Sequence, residues 1–430
     1  MLQALSSKTD ANNLPNRWFI VIAAIFMQLC LGAVYGWSVF TRPLENQYGW
    51  SQTQVTLTFT LAIFFLGVGT IIGGLLQDKY GPRLVATIAG VLYGAAYLLT
   101  GTASTLGELY LWYGFLGGIG MGMGYITPVA TLVKWFPDRR GLITGLAVAG
   151  YGAGALIMSP IAASTIDSFG TSETFFGLGA VYLIVVIVAA QWYKVPPEGY
   201  KPPGWEPSEK EIAARSSRDF TTKEAMATWQ FYVLFAILFL NVSAGIMIIS
   251  QASPMGQDIV GMSEATAAGA VVGTISVFNG AGRVFWAWVS DNIGRKQVFL
   301  IMFLIQAVIF ALLPSLTTVS LFVVATAIIG LCYGGGFGTM PSFAADYFGT
   351  KFVGGIYGII LLAWGLAAIP SPLLIAKIKD STGTYTGAIY IIAAVALVSA
   401  ILPFIVRPLK QESSSDPDEP DDTEKIPEPE

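Results

Sequence analysis

Histidine is missing from all 430 residues, and only 12% of them are Asp, Glu, Lys or Arg. The first absence rules out a histidine metal site, a histidine catalyst and a histidine proton relay. The second excludes an ordinary soluble monomer, because about a quarter of a soluble domain is charged. Cysteine is scarce as well. Cys30 and Cys332 both lie in apolar stretches, which argues against a disulfide framework and reads as two small buried hydrophobes. The glycine runs Gly120-x-Gly122-x-Gly124 and Gly150-x-Gly152-x-Gly154 lack a following Lys-Ser/Thr, so they read as helix packing and not as phosphate loops. Without a nucleophile–base or metal constellation, no enzyme activity, cofactor, metal or nucleic-acid partner is expected.

What the chain has in abundance is apolar length, with 54% hydrophobic residues. Stretches of about 20 apolar residues cross roughly 30 Å of hydrocarbon. The expectation is therefore an all-α membrane protein of twelve transmembrane helices in two six-helix halves. The first six fall near Trp18–Phe40, Val55–Leu76, Leu84–Gly101, Leu109–Val133, Leu142–Ala163 and Phe175–Tyr193. The second six fall near Phe231–Ser250, Ala265–Ser290, Val298–Leu313, Leu321–Ala344, Gly354–Ala376 and Tyr385–Val406. Trp18–Phe40 is too long for a signal-peptide core and reads as a retained span. The organisation is then an N-terminal bundle over 1–193, a cytoplasmic linker over 194–228 with five prolines, a C-terminal bundle over 229–407 and an acidic, disordered tail over 408–430.

Basic residues set the orientation. With both termini inside, 19 of the 23 Lys and Arg are cytoplasmic, and Arg42, Lys377 and Lys379 lie opposite. That bias predicts a multi-pass protein of the cell membrane with both termini and the linker in the cytoplasm. Trp18, Trp50, Trp112 and Trp192 read as interfacial belt residues. One cation remains unplaced, namely Arg283.

The two halves repeat at an offset of about 212 residues. Trp135-Phe136 matches Tyr347-Phe348, Ser159-Pro160 matches Ser371-Pro372, and Thr127 matches Thr339. The loop from Gly74 to Arg83, with Asp78 and Lys79, recurs as Ser290-Asp291-Asn292-Ile293-Gly294-Arg295. Duplicated halves put a substrate site at their interface near the bilayer midplane. This loop resembles the hallmark motif of the major facilitator superfamily, with Pro82 in place of one basic residue. The resemblance implies that Asp78, Arg83, Asp291 and Arg295 gate the cytoplasmic side.

Arg283 lies eight residues before Asp291, about 12 Å inside the expected span. A charge near the bilayer centre costs about 2.5–3.5 kcal/mol on insertion scales, and guanidinium does not deprotonate to escape that cost. A structural arginine there needs an intramembrane acid. None is found, with Glu108, Asp258 and Asp346 the nearest. The arginine must then face a wet cavity or bind an anion, and a planar guanidinium holds a carboxylate through two parallel bonds. Asn279, one helical turn earlier, can orient it. Tyr35, Trp37, Tyr125, Tyr151, Tyr333, Phe337 and Trp364 are the candidate aromatics of the pore-lining spans.

Within the superfamily, Lys134-Trp135-Phe136-Pro137-Asp138-Arg139-Arg140-Gly141-Leu142, Phe278-Asn279-Gly280-x-x-Arg283 and Ala149-Gly150-Tyr151-Gly152 resemble the oxalate/formate antiporter and monocarboxylate transporter branch. The resemblance implies that Arg283 is the carboxylate-binding arginine and that Tyr35, Tyr125, Tyr151, Tyr333 and Phe337 surround it. It also places Trp364 where the oxalate antiporter carries a second cation, and Asn279 where animal monocarboxylate transporters carry an aspartate. The first departure favours a monocarboxylate such as lactate, pyruvate or acetate, with oxalate/formate exchange as the alternative. The second leaves proton linkage and anion exchange both open, with Asp258 as a possible proton carrier. A monomer in the bilayer is expected to suffice.

Overall fold

The computed structural model describes residues 16–206, 218–263, 270–271 and 273–407. The tail over 408–430, the middle of the linker and the expected start of the eighth span at Ala265 lie outside the described residues. All regular structure among the described residues is helical.

Ten helices among the described residues are long and apolar enough to cross a membrane. Spans 2, 3, 5 and 6 are the continuous helices Gln52–Tyr80, Pro82–Gly101, Arg140–Phe169 and Thr171–Ala190. Span 4 runs from Leu106 to Trp135 through a π-helical stretch at Tyr110–Gly117. Spans 7, 9, 10 and 12 contain the helices Trp229–Val260, Arg295–Leu312, Val319–Phe348 and Thr386–Ser399. The remaining two spans fall short for definite reasons. Span 8, Gly273–Ile293, carries Asn279, Arg283 and Asp291. Span 11 is broken into Val353–Ala367 and Pro370–Thr382, because proline removes a helical donor and pushes the preceding residue out of the α region.

Span 1 departs from the single helix expected over Trp18–Phe40. It is helical over Arg17–Leu31, tightens to a 3₁₀ turn at Gly32–Gly36 and resumes over Ser38–Tyr48. The turn sits where span 1 meets span 5, and a Cβ on Gly32 would lie 2.0 Å from the Tyr151 carbonyl oxygen. Only the smallest side chain permits that approach.

Short turns join the spans. Gly81 and Gly294 have φ of 87° and 100°, and each turns the chain directly after the repeated Asp-containing loop. Spans 5 and 8, and spans 2 and 11, make the broad contacts between the halves. Large apolar side chains cover the outside, with Val398 68% and Ile184 62% exposed. That inversion suits a hydrocarbon solvent.

Both halves of the molecule bring their spans to one common face, here called the basic face, where the linker also lies. The linker starts against the first half: Trp135 Nε1 donates to the Lys194 carbonyl at 2.7 Å, and Tyr200 packs edge-on against the Trp135 ring. It ends against the second half. There Asp219 accepts from the Lys351 amide at 3.0 Å, and the short helix Thr222–Met226 is closed by a Thr221–Glu224 capping box.

Candidate functional site

Span 8 is wedged between spans 5 and 10 at the level of Arg283. A Cβ on Gly145 or Gly338 would stand 2.4 Å or 2.1 Å from the Arg283 carbonyl oxygen, so bare backbone on both sides lets the three helices close around it. The arginine side chain is fully buried. Its Nε donates to Asn279 Oδ1 at 3.3 Å, and its Nη1 donates to the Val148 carbonyl of span 5 at 3.2 Å. Asn279 therefore orients the guanidinium, as its spacing on the helix predicts. Nη2 makes no hydrogen bond, and no salt bridge reaches Arg283 among the described residues.

The aromatics anticipated around this charge converge on it from both halves. The guanidinium carbon lies 4.9 Å from the Phe337 ring centroid and 5.7 Å from that of Tyr151, within cation–π range. Trp364 packs against Phe337 at 4.8 Å and within 6.3 Å of Tyr35, Tyr125 and Tyr151. Tyr333 stands edge-on to Phe337 at 5.2 Å. The hydroxyls of Tyr125, Tyr35, Tyr333 and Tyr151 are electrostatic neighbours of Arg283. Tyr151 spends its own on Met121 Sδ at 3.3 Å, whereas those of Tyr35 and Tyr125 make no hydrogen bond. Trp37 does not join them, because its Nε1 donates to Val55 and its ring packs on Tyr113 at 4.3 Å.

The sequence reading overlooked Tyr357. It lies on span 11 seven residues before Trp364, two helical turns along the same face, and is fully buried with an unpaired hydroxyl. That two-turn spacing was the signal that could have found it. The result is a fully buried cation whose Nη2, like the Tyr35, Tyr125 and Tyr357 hydroxyls, reaches no partner at hydrogen-bond geometry among the described residues. Buried polar groups normally find partners, and leaving one unmade costs about 1–3 kcal/mol.

Near the basic face the pattern reverses. Asp78 of span 2 accepts from the Gly355 amide at 2.6 Å in the first turn of span 11, and Lys134 approaches it at 3.4 Å. Asp291 of span 8 accepts from the Gly141 and Leu142 amides at 3.0 and 2.8 Å in the first turn of span 5. Each carboxylate thus caps a helix of the opposite half at its positive end. Arg295 holds Asp291 at 2.7 Å and also reaches Asp346, which Arg140 binds from the other half at 3.0 Å. Lys134 and Asp346, which the 212-residue repeat aligns, occupy matching places with opposite charge.

Two anticipated roles need correcting. Arg83, grouped with Asp78 by the motif, bonds Gln191 at 2.8 and 2.6 Å within its own half, and among the described residues no hydrogen bond or salt bridge carries it across the interface. Asp258 pairs with Lys379 at 2.5 Å near the far end of span 7, with its side chain 44% exposed, away from the buried arginine. The Lys134–Arg140 segment proves structural at its Asp138, which takes a two-pronged bond from Arg17 at 2.7 and 3.0 Å.

Residues 17–283 and 259–428 each match the Major Facilitator Superfamily model. The chain belongs to the major facilitator superfamily. It is 31% identical to the oxalate:formate antiporter of Oxalobacter formigenes over 416 residues, covering 94% of this chain and 96% of that protein. It is 23% identical to monocarboxylate transporter 12 of Mus musculus, covering 92% and 86%. Among solved structures, the fucose:proton symporter FucP in the outward conformation superposes with a TM-score of 0.70 at 14% identity, covering 90% of this chain and 98% of that one, a likeness of fold alone. The chain is a multi-pass membrane transporter, and the twelve-span architecture read from its hydropathy is that of its family.

Proposed function

We propose that this transporter carries small monocarboxylate anions of the lactate, pyruvate or acetate type by alternating access, proton-linked or by exchange. One observation carries the reading: Arg283 is fully buried, has no acidic partner among the described residues and keeps Nη2 unbonded inside a cage drawn from both halves. One fixed positive charge balances one carboxylate, so the loaded site is neutral and can pass through a closed state. Asn279, Tyr35, Tyr125, Tyr151, Tyr333, Phe337 and Trp364 complete the site. The rings exclude water, and the free hydroxyls donate to the oxygens that Arg283 leaves uncovered.

The Asp78 and Asp291 caps, with Arg295 as their reinforcement, act as the latch of the basic face, which we take to be cytoplasmic on the strength of its lysines and arginines. The latch joins the halves directly, so it must part for substrate to leave on that side. A single chain contains the whole site, and a monomer in the cell membrane is sufficient for transport.

Oxalate/formate exchange is the second reading, favoured by the 31% identity to the oxalate:formate antiporter. Against it stands Trp364 in the cage, which supplies no second cation for a second carboxylate. Uptake of radiolabelled lactate into proteoliposomes, with and without a pH gradient and with oxalate as competitor, separates the two. Lactate uptake unaffected by oxalate supports the monocarboxylate carrier. Strong oxalate competition supports the antiporter, and absence of any carboxylate uptake contradicts both.

A further inference from the structure

Tyrosine hydroxyls of both halves are neighbours of the Arg283 guanidinium. Tyr35 neighbours Arg283 and Tyr333, and Tyr333 neighbours Trp364. Tyr125 neighbours Arg283 and also Tyr357. Tyr125 belongs to span 4 of the first half and Tyr357 to span 11 of the second, so this pair closes the interface between them. Both rings are completely buried, and the two hydroxyls are near neighbours that fall short of close hydrogen-bond geometry with each other or with any other described group.

Packing alone does not account for a tyrosine there. A phenylalanine would fill nearly the same volume without burying an unsatisfied hydroxyl, and the repeat-related partner of Tyr125 is in fact Phe337. Nor does the carboxylate need Tyr357, since Arg283 Nη2, Tyr35 and Tyr125 already surround it. Tyr357 is the next donor beyond Tyr125. It also lies two residues from Gly355, whose amide binds Asp78, so the same helix carries both the site tyrosine and the latch contact.

We propose that Tyr357 is a substrate-contacting residue that determines specificity, its hydroxyl taking the oxygen on carbon 2 of a 2-oxo or 2-hydroxy monocarboxylate whose carboxylate is held by Arg283 and Tyr125. This rests on the carboxylate reading of Arg283. With one carboxylate oxygen held between Arg283 and Tyr125, the hydroxyl of Tyr357, neighbour to both, is the donor left for an oxygen on the adjacent carbon. The pole offers dipoles and no charge, so it suits a carbonyl or hydroxyl oxygen better than a second carboxylate. A hydroxyl can donate to the first and accept from the second, so both oxidation levels are served.

The test compares acids with and without the oxygen. Initial uptake of pyruvate and lactate, and of acetate and propionate, is measured in proteoliposomes containing the wild type, Tyr357→Phe or Tyr125→Phe. Removing one hydrogen bond to a bound ligand costs roughly tenfold. Tyr357→Phe is therefore expected to raise KM about tenfold for pyruvate and lactate and less than twofold for acetate and propionate. Tyr125→Phe, which also touches the carboxylate, raises KM for all four. An equal shift for all four acids in Tyr357→Phe, or no shift, overturns the proposal while leaving the role of Arg283 intact. Wild-type protein that moves none of the four overturns the carboxylate reading and this proposal together. Selectivity is a ratio within one preparation, so partial misfolding of a variant does not mimic the expected result.

Discussion

The buried centre and the basic face of this transporter handle charge in opposite ways. At the face Arg17, Lys134, Arg140 and Arg295 each meet a carboxylate, and Asp78 and Asp291 also take backbone amides of the opposite half. At the centre one guanidinium meets none among the described residues. Partly exposed ion pairs contribute about 1 kcal/mol or less each, so the face is closed by several weak bonds that thermal motion can undo. A charge in the dry interior acts in a medium of lower effective dielectric, where each polar contact is stronger. The face is complete without substrate, and the centre is not. That difference lets one structure both close and wait.

Substitutions can break this contrast. The largest effect is expected at Arg283. Replacement by alanine leaves the helices packed but removes the fully buried cation of the cage, and carboxylate uptake should fall about a hundredfold or more, with a monodisperse gel-filtration profile retained. Measurable wild-type uptake in that variant contradicts the site. Trp364→Lys places a second cation in the cage and should shift preference toward dicarboxylates about tenfold, read from oxalate competition against lactate. Unchanged competition would mean that position 364 does not face the anion.

Smaller effects belong to the latch. Asp291→Asn weakens two amide bonds and the pair with Arg295, so the basic face should open about fivefold more often. A thiol placed at Thr131, buried behind the latch in span 4, should then react several times faster with a water-soluble maleimide. Slower or unchanged labelling contradicts the latch. Arg83→Ala, which cuts only a bond to Gln191 inside one half, should change uptake and labelling less than twofold.

Much of this was legible in the chain because lipid imposes simple rules. Spans must be long and apolar, basic loops cluster on one side, and a duplicated loop betrays duplicated halves. Arg283 was visible as the cation that fitted none of those rules, and Asn279 followed from helical spacing. The breaks were not. The 3₁₀ turn at Gly32–Gly36 depends on backbone contact with Tyr151, a residue 119 positions beyond Gly32, and such contact has no local signature. Tyr357 escaped notice because an isolated tyrosine in an apolar span looks like packing until its hydroxyl is seen to have no partner. The error at Arg83 has a similar origin. A motif gives neighbours in sequence, but helix geometry turned Arg83 toward Gln191 and Asp78 toward the other half.

The central claim is that charge, through Arg283, is what the site recognises. Binding of a short carboxylate and of its neutral amide to the purified protein, measured by calorimetry in detergent, isolates that charge while keeping size and shape. The acid should bind at least about a hundredfold more tightly than the amide, and Arg283→Ala should bind neither with measurable affinity. Equal affinity for acid and amide, or acid binding that survives in Arg283→Ala, would contradict the account.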